Sequence, residues 1–179
     1  MARYVAFLRA VNVGGRIVKM DELRGLFAEV GLSEVETFIA SGNVIFSTNA
    51  KATAPLEQKI ETHLKKALGY DVPTLIRTTA EVAIAAARTP YPDKDVEAAG
   101  TFAVAFVRGL LDAAGKKGLA GLETPVDRFV LHGREVYWLA TTTQSETKIT
   151  IVKFERAVGC AATMRAMTSL RKLAAKHCA

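Results

Sequence analysis

Near the N-terminus, glycines and cations stand between a strand-like segment and a helix-like one. Val13-Gly14-Gly15-Arg16 follows an apolar run and precedes a helical pattern, and Arg9 and Lys19 lie close by. Glycine lets backbone amides approach a phosphate, and a helix N-terminus favours negative charge. The segment lacks the third glycine of a dinucleotide fingerprint and is not a Walker loop. An anion site and a simple tight turn both remain open.

A second polar segment, Ser41-Gly42-Asn43, lies between two strand-like runs. It can offer a hydroxyl and an amide to a ligand, or be an ordinary hairpin turn, because Gly and Asn tolerate positive φ. No His or acidic residue stands beside Ser41 to activate it as a nucleophile. Arg165, near the C-terminus, is a further cation able to contact a phosphate. The predicted anion site consists of Arg9, Asn12, Gly14, Gly15, Lys19, Ser41, Asn43 and Arg165.

The sequence contains no recognisable catalytic or metal-binding constellation. Residues 145–148 have the S-x-x-K spacing of acyl-transferring serine enzymes, but residues 169–172 have it too, and the accompanying motifs are missing. His63, His132 and His177 lie on separate predicted elements, without metal-ligand spacing. We therefore predict no metal and no cofactor, and we assign no catalytic residue.

Positive charge is concentrated at the two ends of the chain. The formal net charge is +6, to which residues 1–20 contribute +4, residues 21–140 contribute −3 and residues 141–179 contribute +5. If the ends meet in space, they form a basic surface that favours an anion. The alternative is that these charges lie on separate solvated faces.

Composition indicates a soluble protein with a real hydrophobic core. Half of the 179 residues are hydrophobic, yet no apolar run approaches the roughly 18 residues that a spanning helix needs. No secretory signal is visible. Cys160 and Cys178 do not form a C-x-x-C motif, which predicts a reducing compartment. We expect a cytoplasmic protein with no membrane partner.

The first half of the chain has the order of elements that is typical of a ferredoxin-like fold, βαββαβ. Hydrophobic periodicity and turn residues predict these elements as strand 3–11, helix 20–30, strands 35–39 and 44–47, helix 54–68 and strand 73–77.

The second half repeats the first after a short helix at 80–88 and a Pro-rich loop. Residues 5–11 match residues 104–110, and the hairpin around Phe38, Gly42 and Phe46 matches the one around Phe129, Gly133 and Tyr137. Helices are predicted over 146–158 and over 163–177, where a fourth strand would be expected.

We therefore predict an α+β fold of two packed ferredoxin-like subdomains, the second a degenerate copy of the first. Residues 1–79 form the first subdomain. Residues 80–179 form the second, which is reduced and ends in the C-terminal helix.

Three stretches resemble the bacterial family catalogued as domain of unknown function 1697. They are LRAVNVGG at 8–15, TFIASGNVIF at 37–46 and TMRAMTSL at 163–170. The resemblance implies a ferredoxin-like subdomain followed by a reduced version of it, and it implies no activity. The chain departs from the family pattern with Ala10 in place of Gly, Ala40 in place of Gln, and Ala166 and Thr168 in place of Asn. If those amides contact a ligand in relatives, this chain binds it weakly or binds something else.

The leading functional hypothesis is a non-catalytic binding protein for an anionic ligand, either nucleic acid or a phosphorylated metabolite. One alternative is an enzyme of unassigned chemistry in the cleft between the subdomains, which would need a nucleophile–base pair in a concave pocket. Another is a protein-interaction module that uses a sheet edge or the last helix, which a large exposed apolar patch would favour. The sequence does not indicate which oligomeric state the protein has.

Overall fold

A computed structural model describes residues 1–39 and 42–178 of the chain. The chain divides into two compact units. The first comprises Met1–Ala83 together with Leu173–Ala179, and the second comprises Ile84–Lys172. None of the described helices is long and apolar enough to cross a membrane.

The first unit contains an antiparallel sheet with the strand order β2-β3-β1-β4. This is the ferredoxin-like topology that the sequence predicts. Its elements in chain order are β1 (Ala2–Leu8), α1 (Met20–Glu29), β2 (Ser33–Thr37), β3 (Asn43–Thr48), α2 (Thr53–Leu68) and β4 (Thr74–Thr78).

The core of the first unit lies between one face of this sheet and the two helices α1 and α2. Alternate residues of a strand point to the same face, so Tyr4, Ala6 and Leu8 of β1 enter this core together. Phe27 of α1 and Ile60 of α2 pack against the same cluster. The opposite face of β1 is also buried, which explains why its sequence is an almost continuous apolar run.

The second unit repeats the arrangement, with the strand order β6-β7-β5-β8. The internal duplication is therefore confirmed at the level of topology. After β4 the elements are α3 (Thr79–Ala87), α4 (Asp93–Ala98), β5 (Thr101–Val107), α5 (Ala113–Ala120), β6 (Asp127–His132), β7 (Glu135–Ala140), α6 (Ile151–Val158), β8 (Ala162–Ala166) and α7 (Met167–His177).

The prediction of a helix over 163–177, in place of a fourth strand, was wrong for residues 163–166, which together with Ala162 are a strand. These residues form β8, which pairs with β5 so that Arg165 lies opposite Val104. Met, Arg and Ala all favour helices, but the ladder with β5 overrides that local preference. The second copy is thus complete in its strands. It is reduced in its helices, because α6 has 8 residues whereas α2 has 16.

The predicted match between the two hairpins is displaced by one residue in the last strand. Val5 pairs with Ile45, and its counterpart Val104 pairs with Tyr137, so Tyr137 corresponds to Ile45 and not to Phe46. Phe46 instead corresponds to Trp138, and both side chains face the helices. The hairpin connections differ in length, and a shift of one residue moves a side chain to the other face of a sheet.

Helices α5 and α6 pack closely because glycines lie at their contact. A Cβ atom added to Gly115 would lie 2.6 Å from the carbonyl oxygen of Val158, and one added to Gly118 would overlap the carbonyl oxygen of Ala157. Both are backbone atoms, so the helices would have to separate. Gly25 of α1 provides the contrast, because a Cβ there would meet no described atom within 4 Å.

We predict opposite effects of two Gly→Ala substitutions in helices. Gly118→Ala should lower the free energy of unfolding by roughly 1–3 kcal/mol, the usual cost of overpacking. Gly25→Ala should raise it by about 0.5–1 kcal/mol, because alanine loses less backbone entropy on folding. Urea denaturation followed by circular dichroism measures both. A stabilised Gly118→Ala variant would show that the two helices are not in close contact.

Candidate functional site

The segment between β1 and α1, residues 9–19, is a loop anchored at both ends; we call it the glycine loop. Val11 and Val18 are only 2% and 4% exposed and belong to the core. The side-chain oxygen of Asn12 accepts a hydrogen bond from the Val18 amide (2.8 Å), and the Tyr70 hydroxyl donates one to the Val11 carbonyl (3.1 Å). Residues 12–17 are exposed between these anchors.

Gly14 and Gly15 give the exposed part of the glycine loop its shape. Their φ angles are +68° and +80°, in the left-handed region where residues with a side chain are strained. No described atom lies within 4 Å of a Cβ position at either residue. Glycine is therefore required by conformation and not by crowding, and a ligand can approach the backbone. Turn amides of this kind form anion-binding concavities in proteins.

Three cations belong to the glycine loop. Arg16 and Lys19 are exposed, and Arg9 is half-buried. The guanidinium carbon of Arg16 lies 4.2 Å from the centre of the Tyr70 ring, a cation–π contact that restrains the side chain. Lys19 is the N-cap residue of α1, so its charge lies at the end of the helix that favours anions.

Two acids lie in the first turn of α1, Asp21 and Glu22. The carboxylate of Asp21 accepts a hydrogen bond from Arg24, which also donates to the Thr37 hydroxyl (2.7 Å). The charge of Asp21 is thus directed toward Arg24 within its own helix. The cations of the glycine loop leave an excess of positive charge before α1 begins.

Gly42, in the connection between β2 and β3, lies against the base of the glycine loop; we call the described residues of this connection, 38, 39 and 42, the hairpin loop. The Leu8 amide donates to the Gly42 carbonyl (2.8 Å), and a Cβ at Gly42 would lie 2.9 Å from a methyl carbon of Val11. The predicted site residue Ser41, like Ala40, lies outside the described residues. Asn43 is 2% exposed, and its side-chain amide donates to the Phe38 carbonyl (3.0 Å). Asn43 therefore links the start of β3 to Phe38, directly after the end of β2.

The C-terminal end of α7 reaches the hairpin loop, so the two basic ends of the chain do meet. The Lys176 ammonium lies 5.6 Å from the centre of the Phe38 ring, and the His177 ring packs edge-on against the same ring. The Nδ1 atom of His177 is 3.9 Å from a carboxylate oxygen of Glu36, which forms an ion pair with Arg3. Arg3 lies at the start of β1, away from the glycine loop, so Lys176 is the cation that the C-terminal segment places at the hairpin loop.

Arg165, the last predicted site residue, belongs to the second unit and is largely buried. Its guanidinium donates to the Thr163 hydroxyl (2.8 Å) and the Met164 carbonyl (2.9 Å), and burial lowers its pKa to about 10. Arg77 of β4, fully buried, occupies the equivalent register position opposite Val5. This repetition indicates that Arg165 has a structural part in the sheet.

The structure thus gathers six of the eight predicted residues at one end of the first unit: Arg9, Asn12, Gly14, Gly15, Lys19 and Asn43. Sequence reasoning missed Tyr70, which both anchors and covers the glycine loop. The chain gives little signal for that role, since Tyr70 is 59 positions away from the Val11 carbonyl that it contacts.

Two tyrosines outside this site, Tyr91 and Tyr137, have strongly shifted pKa values and a structural role. Burial raises the pKa of Tyr137 to about 12 and raises that of Tyr91 as well. Their hydroxyls donate to backbone carbonyls, Tyr137 to Ala85 (3.1 Å) and Tyr91 to Tyr137 (2.8 Å). Within residues 1–39 and 42–178, no three His, Cys, Asp or Glu side chains meet in a way that could hold a metal ion.

Comparison with known proteins finds likeness of fold without an assigned activity. Residues 1–137 match the family described as "Protein of unknown function (DUF1697)". A solved structure, the conserved bacterial protein SP0830 from Streptococcus pneumoniae, is similar with a TM-score of 0.78 and 22% identity over 98% of each chain. At that identity the likeness concerns the fold alone. No curated protein matches the sequence.

We predict that Ala10→Gly stabilises the protein. Ala10 has φ +58°, a left-handed conformation that costs an L-residue roughly 1–2 kcal/mol, and glycine removes that cost. The greater freedom of glycine in the unfolded chain offsets part of the gain, which leaves up to about 1 kcal/mol in the free energy of unfolding. Ala99→Gly is the control: Ala99 has φ −73°, so its replacement should only destabilise. Chemical denaturation distinguishes the two, and a loss of stability in both would contradict the assigned strain.

A second prediction concerns pH. The side chain of His177 is 4% exposed, and its Nε2 atom has no hydrogen-bond partner in the described part of the chain. Burial lowers the pKa of His177, and the positive charges of Lys176 and Arg3 lower it further. The negative charge of Glu36 raises it, but by less than burial lowers it. The unfolded chain therefore binds the proton more readily, and this contribution to stability is lost as pH falls below about 6.5.

The free energy of unfolding should decrease more between about pH 7.5 and 5.5 in the wild type than in His177→Phe, which cannot titrate. Paired urea titrations at the two pH values give this difference. An equal decrease in both proteins would mean that folding does not lower the pKa of His177.

Proposed function

The chain belongs to the DUF1697 family, whose description assigns no function, and we propose from the geometry of this chain that it is a non-catalytic binding protein for an anionic ligand. The ligand is nucleic acid or a phosphorylated metabolite, bound at the glycine loop. We further propose that the protein acts in the cytoplasm. In keeping with a reducing compartment, Cys160 and Cys178 are free thiols in the described chain.

One observation carries the proposal: consecutive left-handed glycines lie on an open surface beside exposed cations. Gly14 and Gly15 allow a phosphate to approach backbone amides, and Arg16 and Lys19 supply charge on either side of residue 17. The anchors at Val11 and Val18 hold this arrangement before any ligand arrives, so little ordering entropy is lost on binding.

The surroundings of the loop support the same proposal. The N-terminus of α1 follows Lys19, and helix N-termini stabilise negative charge. Lys176 adds a further cation at the neighbouring hairpin loop. The exposed Val13 and Ile17 offer apolar contacts to the non-phosphate part of a ligand. A nucleotide or an oligonucleotide combines these properties, because it carries both phosphates and base faces.

The test is fluorescence anisotropy with labelled single-stranded and duplex oligonucleotides, each at low and at physiological salt. Binding through phosphates should weaken linearly on a plot of log affinity against log salt. Arg16→Glu with Lys19→Glu should weaken binding by about tenfold or more and flatten the salt slope by about two, one for each lost contact. Arg9 is left unchanged because it is half-buried.

The control reverses two exposed lysines elsewhere, Lys116→Glu with Lys153→Glu, and so makes the same change in net charge. It should bind as the wild type does. Pyrophosphate titrated into labelled protein tests the metabolite: the Gly14 and Gly15 amide signals should shift. If neither probe binds, or if both double variants lose affinity equally, the glycine loop is not an anion site.

A further inference from the structure

A groove runs along α2 beside the C-terminal end of α1, whereas the glycine loop precedes the N-terminal end of α1. Two adjoining hollows of about 480 and 360 Å³ form it, and they share Val30, Pro55 and Lys59. It extends from the turn after α1 along the exposed side of α2 as far as Lys66. We call it the basic groove.

The groove carries a net positive charge. Lys51, Lys59 and Lys66 line it, and none of the described lining residues is an acid. Lys59 is fixed at its middle, because its ammonium donates to the Val30 carbonyl at the end of α1 (2.7 Å). The nearby Glu29, whose carboxylate contacts the His63 ring (2.8 Å), offsets only part of the charge of the three lysines. A ligand in the groove has to carry negative charge to complement it.

The floor of the groove is aliphatic. Val30, Leu32 and Leu56 lie there, each between 6% and 8% exposed, with the ring of Pro55 beside them. No aromatic residue is among the described lining residues. Proteins that bind single strands of nucleic acid stack the bases on aromatic rings, and this floor offers none. Aliphatic side chains of a peptide fit it better.

The length of the groove sets the size of its occupant. From Pro55 to Lys66 the helix rises about 16 Å at 1.5 Å per residue. An extended peptide covers that distance in about five residues at 3.3 Å each. Lys59 and Lys66 lie within this length and Lys51 lies just before it, so the three lysines match carboxylates spaced along such a segment.

From the net positive charge, the aliphatic floor and the length, we propose that the basic groove is a docking site for an acidic segment of another protein, about five to seven residues long, in which leucine-like side chains alternate with carboxylates. This surface is separate from the glycine loop. The protein would then hold an anionic ligand at one end of α1 and a protein partner at the other.

A fluorescein-labelled heptapeptide of alternating glutamate and leucine is the probe, titrated into the full-length protein at physiological salt. Lys51→Glu with Lys66→Glu should raise the dissociation constant about tenfold or more, because each reversal removes an attraction and adds a repulsion. Lys51→Gln with Lys66→Gln, which only removes charge, should give a smaller increase. Lys116→Glu with Lys153→Glu is the matched control and should bind like the wild type.

Two companion peptides separate charge from apolar contact. Replacing glutamate by glutamine tests the lysines, and replacing leucine by serine tests the floor; both should bind more weakly than the parent. In labelled protein, amide signals of residues 30–32 and 56–59 should shift on addition of the parent peptide. Far-UV circular dichroism of each variant verifies folding, so a loss of binding is not confused with unfolding.

The proposal would be overturned if the glutamine peptide bound as tightly as the parent peptide. It would also be overturned if the groove variant (Lys51→Glu with Lys66→Glu) and the control variant (Lys116→Glu with Lys153→Glu) lost the same affinity. An absence of binding at about 1 mM peptide, a concentration that reveals even a weak complex, would overturn it as well. Tighter binding of a single-stranded oligonucleotide that depends on Lys51 and Lys66 would also overturn it, by making the groove a nucleic-acid surface.

Discussion

Two glutamates of α2 reach the outer edge of β4 and accept hydrogen bonds from its backbone. Glu61 accepts from the Thr74 amide and Glu57 from the Ile76 amide, both at 2.8 Å. Glu57 is 3% exposed, so its bond to the Ile76 amide forms away from water, where an unpaired amide would cost about 1–3 kcal/mol. The interaction fixes α2 to the sheet and occupies donors that could otherwise pair with another strand. Through the ladder from β4 to β1, it also fixes where β1 ends and the glycine loop begins.

The second unit contains a bond of the same kind: Glu155 of α6 accepts a hydrogen bond from the Ala162 amide at the start of β8 (2.9 Å). The two copies share their strand topology and differ in the loops and helices that surround it. The glycine loop spans residues 9–19, whereas its counterpart between β5 and α5 spans only residues 108–112. Copies that keep a common sheet can vary at the ends of their strands, since loops tolerate insertion better than packed elements do. The proposed anion site is therefore a property of the first copy alone.

The sequence predicted the order of elements in the first unit because its strands and helices have distinct hydrophobic periods. It did not predict β8, because Met164, Arg165 and Ala166 favour a helix and only the partner strand β5 makes them a strand. It joined the glycine loop and the hairpin loop in one site, since both follow recognisable turn residues. It could not find Tyr70 or the reach of Lys176 to Phe38, because such contacts depend on tertiary packing between distant segments.

Helix α1 gives the two proposed surfaces of the first unit a common physical basis. Its ten residues span about 15 Å, and its dipole is positive at Met20 and negative at Glu29. The positive end adds to the charge of the glycine loop. The negative end would oppose an acidic partner, but the Lys59 ammonium bonds the Val30 carbonyl there and restores positive charge. Both ends of one helix thus present cations, which allows an anionic ligand and an acidic segment to bind at the same time without competing for the same groups.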